Sequence, residues 1–241
     1  RDFCLSRGLG DVYKRQEEIG LEGAQNLGKD MISGKMLLNL DSEDDDEIFV
    51  GCAGGIDTTA IFHYDRSLSP ENFKYYRISV RGLLGGHSGG DIHLGRANAN
   101  KVVARFIWEC SQKWNIELSS FDGGNLRNAI PREAYAVFGI QTDQSEEAVR
   151  LLHRYVKEIK NEYKGVEPSM ELILEETERP EYCIDSKTSL ALVRALYSAP
   201  HGVYSMSRDI PGLVETSTNL AAVKMLDGNQ IKVTTSQRSS V

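Results

Sequence analysis

The chain has 241 residues and a formal charge of −7, with 28 Lys and Arg against 35 Asp and Glu, and this acidic balance argues against a nucleic-acid partner. Apolar residues at 40% and charged residues at 26% are near globular averages, which excludes a disordered or collagen-like chain. Because there is neither an apolar run near the roughly 18 residues that span a bilayer nor an apolar signal-peptide core, we predict a cytoplasmic protein with no membrane partner.

The beginning of the chain differs in character from the remainder. Residues Arg1 to Gln16 show no apolar periodicity, and we interpret 1–16 as a non-native leader. The run Met36 to Leu40 predicts a short strand that places Asp41 at its carboxyl end, and a second strand begins at Ile48 to Val50. The acidic residues Glu43 to Glu47 predict a solvated turn.

The middle of the chain predicts a compact α+β unit over about 70–178. Its order is strand, helix, strand, strand, helix, strand, which is the ferredoxin-like arrangement of a four-stranded antiparallel sheet backed by two helices. The predicted elements are a strand at Tyr75 to Leu84, a helix at Ala97 to Trp114, a strand at Ile116 to Phe121, a turn at Gly123 and Gly124, a strand at Ala134 to Ile140, a helix beginning at a capping box of Asp143 and Glu146, and a strand at Met170 to Leu174.

The C-terminal part predicts a helix and a hairpin. Ser186 to Ser198 has a helical pattern. Leu220 to Leu226 is expected to pair with Ile231 to Thr235 across Asp227-Gly228-Asn229, a favourable turn sequence. The last residues, TSQRSSV, carry no closing element, so we expect a truncated protein.

A pair of carboxylates, Glu17 and Glu18, together with Asp41 is one candidate for chemistry. Neighbouring side chains point in different directions, so one carboxylate can bind a metal while the other faces the metal-bound water. Bound zinc lowers the pKa of its water towards about 7, and the second carboxylate can then take the proton. By itself, however, a Glu-Glu pair is more often solvated.

A second candidate is the segment Gly86 to Gly90, GHSGG, which fits the Gly-x-Ser-x-Gly elbow of serine hydrolases with Ser88 as nucleophile. An elbow needs a strand buried on both faces that turns directly into a helix. Here the preceding strand presents Arg77 and Arg81 on one face, and DIHLG separates Ser88 from the next helix. The serine-hydrolase interpretation therefore stays an alternative.

Five motifs in order resemble aminoacyl-histidine dipeptidases, the carnosinase-like Xaa-His dipeptidases among the co-catalytic zinc peptidases. The resemblance runs from Glu17 to Val241. The motifs are EEIGLEGAQNL, LNLDSEDDDEIFVGCAGG, ISVRGLLGGHSGGDIHLGRANANK, GGNLRNAIPREAYAVF and IPGLVETSTNLA.

The resemblance implies an α/β (α+β) fold in which a lid interrupts a zinc-binding α/β domain. Residues 17–55 would be a fragment of that catalytic domain, and 56–241 a truncated lid with the ferredoxin-like order. In this family the lid also mediates dimer contacts, which implies a possible homodimer.

The resemblance also implies roles for six residues and a metal cofactor. Two zinc ions would serve a complete site, with manganese or cobalt as alternatives, and the substrate would be a dipeptide. The other four histidines, including His201, receive no role. The implied roles are Glu17 as general base, Glu18 and Asp41 as metal ligands, His87 as the group that polarises the carbonyl and stabilises the oxyanion, Asn128 as a substrate-binding amide, and Arg238 as the partner of the dipeptide carboxylate.

Several parts of the family pattern have no counterpart in this sequence: an upstream His-x-Asp, a metal-bridging Asp and a downstream His ligand. Only Glu18 and Asp41 remain of the ligand set, whereas zinc usually takes four ligands including nitrogen. We therefore expect the parent protein to be a dipeptidase and this chain alone to be inactive. A non-catalytic lid or dimerisation module is a third interpretation.

Overall fold

The computed structural model describes residues 51–241, together with Asn26, Gly28 and Lys35. By its internal contacts the chain divides into two units, Arg1–Val50 and Gly51–Val241, and the helices and strands described belong to the second. The predicted leader and the predicted strands at 36–40 and 48–50 lie outside the described residues. The division into leader, catalytic fragment and lid stays a prediction.

The second unit contains twelve strands, three α-helices and two 3₁₀ helices. In chain order the elements are β1 (Gly54–His63), β2 (Arg66–Leu68), β3 (Phe73–Arg81), β4 (Gly86–His87), a 3₁₀ helix (Ile92–Leu94), α1 (Ala99–Ser111), β5 (Ile116–Gly123), β6 (Ala129–Ile130), β7 (Ala134–Gln141), a 3₁₀ helix (Thr142–Gln144), α2 (Ser145–Glu162), β8 (Glu171–Thr177), β9 (Tyr182–Ile184), α3 (Ser186–Ser198), β10 (Gly202–Met206), β11 (Val214–Leu226) and β12 (Gln230–Ser239).

The predicted ferredoxin-like unit is confirmed. Its four strands lie side by side in the order β5-β7-β3-β8, and each neighbouring pair is antiparallel. The helices α1 and α2 connect them as the βαββαβ order requires. The fold class predicted from the sequence, α+β with a ferredoxin-like unit, is therefore the one observed.

The core of this unit lies between the sheet and the helices. Along β3, Ile78 and Val80 are buried while Arg77 and Arg81 are exposed, as the alternating pattern predicts. Phe106 of α1 is fully buried, and its ring centroid lies 6.1 Å from that of Phe138 and 5.5 Å from that of Tyr155. Burial of each such side chain stabilises the fold by about 1.5–3 kcal/mol.

The sheet continues beyond the ferredoxin-like unit into the C-terminal part of the chain. Its full order is β1-β12-β11-β5-β7-β3-β8, with β10 paired to the first half of β11. The junction is the pairing of Val223 in β11 with Gly123 in β5. The strand that carries Arg238, β12, therefore belongs to the same sheet as the ferredoxin-like unit.

The predicted C-terminal helix and hairpin are also confirmed. The helix α3 covers the predicted residues Ser186–Ser198, and its Tyr197 stacks on Trp108 of α1 at 4.9 Å between ring centroids. In the hairpin, β11 pairs with β12 from Leu226 and Gln230 onward. The turn residues Gly228 and Asn229 have φ of 74° and 57°, which is why this turn favours Gly and Asn.

Some boundaries differ from the predictions. The prediction of a capping box is wrong. Asp143 lies inside the 3₁₀ helix, and α2 begins at Ser145 with no side-chain hydrogen bond at its N-cap. The predicted strand to Leu84 ends at Arg81 because Gly82 turns the chain at a φ of 75°.

The long strand β1 is not among the predicted elements. It is an edge strand whose residues are almost all exposed, so it lacks the alternation of buried positions that marks a strand in a sequence. Within 51–241, no helix is long and apolar enough to cross a membrane.

Candidate functional site

A short two-stranded ribbon brings His87 and Asn128 together. The strand β4 pairs with β6, so that His87 lies opposite Ala129. The next residue, Ser88, donates its backbone N–H to the carbonyl oxygen of Asn128 at 2.8 Å. Two residues that the family resemblance picked out, 41 positions apart in the sequence, therefore share one loop structure.

The backbone of His87 is held by Asp91. The His87 N–H donates to Asp91 Oδ2 at 2.9 Å, and the Asp91 N–H donates back to the His87 carbonyl oxygen at 2.9 Å. Arg96 lies 3.3 Å from the same carboxylate oxygen and also donates to the carbonyl of Gly85. Position 86 must be glycine here, because its φ is 134° and a Cβ would overlap Arg96 and Asp91.

One hydrogen bond, from the backbone of Gly90, assigns the tautomer of the exposed His87 ring in its neutral form. The Gly90 N–H donates to Nδ1 at 3.1 Å, whereas Arg238 Nη2 lies 3.5 Å from Nε2. A neutral imidazole has one acceptor nitrogen, and the shorter contact makes that acceptor Nδ1. Nε2 then carries the proton, so an imidazole N–H and a guanidinium N–H lie side by side.

Arg238 reaches this site from β12, where its backbone is paired with Ser217 of β11. A Cβ at Gly89 would lie 3.0 Å from Arg238 Cζ, so the guanidinium packs directly on the Gly89 backbone. Its Nε is buried and has no acceptor among the residues that the structure describes. Its Nη groups form the end of the guanidinium that can pair bidentately with a carboxylate.

A polar cluster next to this loop consists of the buried Asn98 and Asn219 and the half-buried His201. Asn98 and Asn219 are each 1% exposed. The Asn219 Nδ2 donates to the carbonyl oxygen of Ala129 at 2.8 Å, and its Oδ1 accepts from Asn98 Nδ2 at 3.4 Å. Asn98 Nδ2 lies closer to two other acceptors, the carbonyl oxygen of Leu220 at 3.0 Å and His201 Nδ1 at 3.1 Å. The cluster thus connects β11 to the strand that pairs with His87.

His201 in this cluster is electrically neutral at pH 7. Burial, with a smaller contribution from the Lys101 cation, lowers the pKa of His201 to about 4. A neutral ring can accept the Asn98 amide proton at Nδ1.

The sequence reasoning gave His201 no role and missed Asn219. The predicted strand begins at Leu220, whereas β11 begins at Val214 and therefore contains Asn219. With that earlier start, the signal would have been an asparagine inside a strand, a position that is unfavourable unless its amide is hydrogen-bonded.

Comparisons with known proteins agree with this architecture. Residues 78–167 match the family model described as a peptidase dimerisation domain. The chain is 39% identical over 213 residues to the cytosol non-specific dipeptidase of Escherichia coli strain K12. The aligned residues make up 88% of this chain and 44% of that protein. The crystal structure of aminoacylhistidine dipeptidase from Vibrio alginolyticus superposes with a TM-score of 0.82 at 36% identity, over 93% of this chain and 46% of that one.

The chain is related to the aminoacylhistidine dipeptidases. It spans about half the length of the relatives it matches. The matched dimerisation domain begins within β3 and ends after α2, so it corresponds to most of the ferredoxin-like unit. The family resemblance carried by the motifs is therefore confirmed.

The aminoacylhistidine dipeptidase relationship does not depend on Ser88, and the geometry of Ser88 does not fit a nucleophile elbow. Its Oγ is buried and has no hydrogen-bond partner in the part of the chain that the structure describes. The strand before it has two residues, and the helix after it is a three-residue 3₁₀ turn at Ile92–Leu94. A serine nucleophile needs a base within hydrogen-bond reach, and the described residues offer none.

The predicted metal ligands belong to the part of the chain that the structure does not describe. Glu17, Glu18 and Asp41 lie outside the described residues, and within the described ones no group of three or more His, Cys, Asp or Glu could hold a metal ion. The described residues therefore do not by themselves fit the metal centre that the resemblance to aminoacylhistidine dipeptidases implies. The roles of all six predicted site residues stay predictions.

Proposed function

We propose that the complete protein is a metal-dependent dipeptidase that hydrolyses Xaa-His and related dipeptides. The single observation that supports this best is the 3.5 Å approach of Arg238 Nη2 to His87 Nε2 in a chain related to dipeptidases. Two donors so close together suit a substrate that offers both a carboxylate and a peptide carbonyl. The described residues would serve to bind the substrate.

In this proposal the two donors act on different groups of one dipeptide. Arg238 binds the free carboxylate, because its guanidinium offers parallel N–H groups that match the two carboxylate oxygens. His87 donates Nε2–H to the peptide carbonyl oxygen, where negative charge develops during amide hydrolysis. Removal of one such donor typically lowers kcat by about 10²–10³-fold. Asn128 supplies a further amide at the same loop.

The remaining roles concern residues that the structure does not describe. We propose Glu17 as the general base and Glu18 and Asp41 as metal ligands, with zinc as the metal and manganese or cobalt as alternatives. A bound metal would supply a water of lowered pKa.

Hydrolysis of a Xaa-His dipeptide, measured with and without a chelator, tests the proposal. We expect the complete protein to be active and to lose that activity with the chelator, and the 241-residue chain alone to be inactive. Activity that survives the chelator but is blocked by a serine-directed phosphonate would instead support Ser88. Activity of the 241-residue chain would contradict the proposal that it is an incomplete enzyme.

A substitution at Arg238 tests the carboxylate-binding role. In the complete protein, Arg238→Met should raise KM for the dipeptide about 10–100-fold, since hydrogen bonds to charged groups contribute about 1.5–3 kcal/mol. The exposed Arg208, on the β10–β11 connection, provides a control, and Arg208→Met should leave KM unchanged. Equal effects of the two substitutions would show that Arg238 has no specific role.

The match to a peptidase dimerisation domain favours a second, structural role for the same residues. We propose that the complete protein forms a homodimer through the lid. Sedimentation of the 241-residue chain and of the complete protein should then give a dimer mass, and a monomer at micromolar concentration would contradict this. The printed name of the E. coli relative places that protein in the cytosol, and we propose the same compartment here.

A further inference from the structure

Asn219 occupies an unusual position for a polar side chain, in the interior of β11 and 1% exposed. Burial of an amide costs free energy unless its hydrogen-bonding groups find partners. Its Nδ2 donates to the carbonyl oxygen of Ala129 at 2.8 Å. Ala129 is the residue opposite His87 in the β4–β6 pair, so this bond attaches the His87 ribbon to the main sheet.

The orientation of the Asn219 amide is determined by its surroundings. Nδ2 faces the Ala129 carbonyl oxygen at 2.8 Å, which can only accept a hydrogen bond. Oδ1 faces Asn98 Nδ2 at 3.4 Å, a longer contact than those of the same nitrogen with the Leu220 carbonyl oxygen at 3.0 Å and with His201 Nδ1 at 3.1 Å. A flipped amide would place two donors against each other on one side and two oxygens on the other. Asn98 is itself constrained, since its Oδ1 accepts from the N–H of Lys101 at the start of α1. The donor towards Ala129 is therefore locked in direction.

The strand β11 also determines where Arg238 lies. Arg238 is paired with Ser217, two residues before Asn219, and residues two apart on a strand point to the same face. The strand therefore bonds to the His87 ribbon through the Asn219 side chain and to the Arg238 strand through its backbone. The separation between His87 and Arg238 depends on both attachments.

We propose that Asn219 is a positioning residue that holds the β4–β6 ribbon so that His87 lies at the correct distance from Arg238. It touches neither a substrate nor a reacting atom and acts through Ala129 and His87. The inference rests on the proposed dipeptidase function and deepens it by naming the residue that sets the geometry of the site.

The expected kinetic effect depends on which contacts remain when the donor is lost. In Asn219→Asp a carboxylate oxygen faces the Ala129 carbonyl, and repulsion moves the ribbon and His87 away. Arg238 keeps its backbone pairing in β12, so binding of the substrate carboxylate is retained. Because a misplacement of about 1 Å can cost 10²-fold in rate, kcat should fall about 10–100-fold while KM changes less than about threefold.

A matched control separates positioning from a general loss of stability. Asn100 is also fully buried and also belongs to this region, but its Nδ2 donates to the carbonyl oxygen of Leu220 at 3.3 Å and not to the ribbon. In the complete protein, Asn219→Asp, Asn219→Ala and Asn100→Ala are compared for Tm, kcat and KM. We expect all three to lower Tm and only the two Asn219 variants to lower kcat.

A double-mutant cycle with His87→Ala gives the decisive readout. If Asn219 acts through His87, Asn219→Asp should lower kcat in the wild-type protein but cause no further loss in the His87→Ala protein. Additive losses would overturn the proposal. So would a raised KM with unchanged kcat, which would place the effect on Arg238 instead.

Hydrogen exchange in the complete protein tests the positioning role without any activity. Asn219→Asp should accelerate exchange in the segments around 86–91 and 126–131, and Asn100→Ala should not. Unchanged exchange in those segments would overturn the inference even if the protein is a dipeptidase. An inactive wild-type protein with accelerated exchange in the variant would instead refute the proposed function and leave the positioning role intact.

Discussion

The apolar core under α1 and α2 and the polar cluster behind His87 stabilise neighbouring parts of one sheet by different interactions. In the core, Phe106 packs against Phe138 and Tyr155, and dispersion and burial do not require one specific partner. In the cluster, Asn98 and Asn219 each need a bond in a given direction. A core accepts volume-conserving changes, whereas a cluster leaves an unsatisfied buried group when one partner is lost. Stability therefore comes mainly from the core, and the geometry of the site from the cluster.

The largest expected effect is on the core. Phe106→Ala should lower the free energy of unfolding of the 241-residue chain by about 3–5 kcal/mol, because it removes a fully buried ring and leaves a cavity. Leu126 is 55% exposed, and Leu126→Ala should change the unfolding free energy by no more than about 0.5 kcal/mol. Urea unfolding measures both, and similar losses at the two positions would contradict the assignment of the core.

The next largest effect is a pH dependence of the unfolding free energy, which comes from His201 in the polar cluster and not from the apolar core. Burial and the Lys101 cation lower the pKa of His201 to about 4, against about 6.5 in an unfolded chain. Between these values the unfolded chain binds a proton that the folded chain does not. The stabilising contribution is therefore complete above about pH 6.5 and is lost as the pH falls towards 4, by at most roughly 3 kcal/mol.

Urea unfolding of the 241-residue chain between pH 4 and 7 measures that loss. The variant His201→Gln can still accept from Asn98 but does not titrate, so its stability should vary less over this window. His153→Gln, at an exposed position on α2, provides the control. A wild-type slope that survives in His201→Gln would assign the pH dependence to other groups.

The smallest expected effect is the difference in unfolding free energy between alanine substitutions at two glycines that flank the His87 loop. Gly86 and Gly95 both have positive φ, but a Cβ at Gly86 overlaps Arg96 and Asp91, whereas a Cβ at Gly95 meets open space. Gly95→Ala should cost about 1 kcal/mol of unfolding free energy from backbone strain alone. Gly86→Ala should cost roughly 2–3 kcal/mol, because steric overlap adds to that strain. Equal losses would mean that the side chains of Arg96 and Asp91 move at little cost to make room for the added Cβ.

Most of the ferredoxin-like unit was predictable because its signals are local. The alternation in β3 and the apolar stripes of α1 and α2 report on burial within a few residues. The same holds for the β11–β12 hairpin, whose Asp-Gly-Asn turn requires residues that accept positive φ. The exposed edge strand β1 gave no such signal. The start of α2 was mispredicted because Asp143 and Glu146 satisfy the letters of a capping box while the chain forms a 3₁₀ turn there.

The sequence by itself determined the family, the fold class and most elements, since motifs and periodicity are properties of short segments. Only the tertiary structure decided which distant groups meet. His87 and Arg238 are separated by 151 positions and touch because β12 lies beside β11 in the sheet. Asn219 reaches Ala129 across 90 positions for the same reason. Such contacts depend on strand order and register, which arise from the packing of the whole sheet and not from any local pattern.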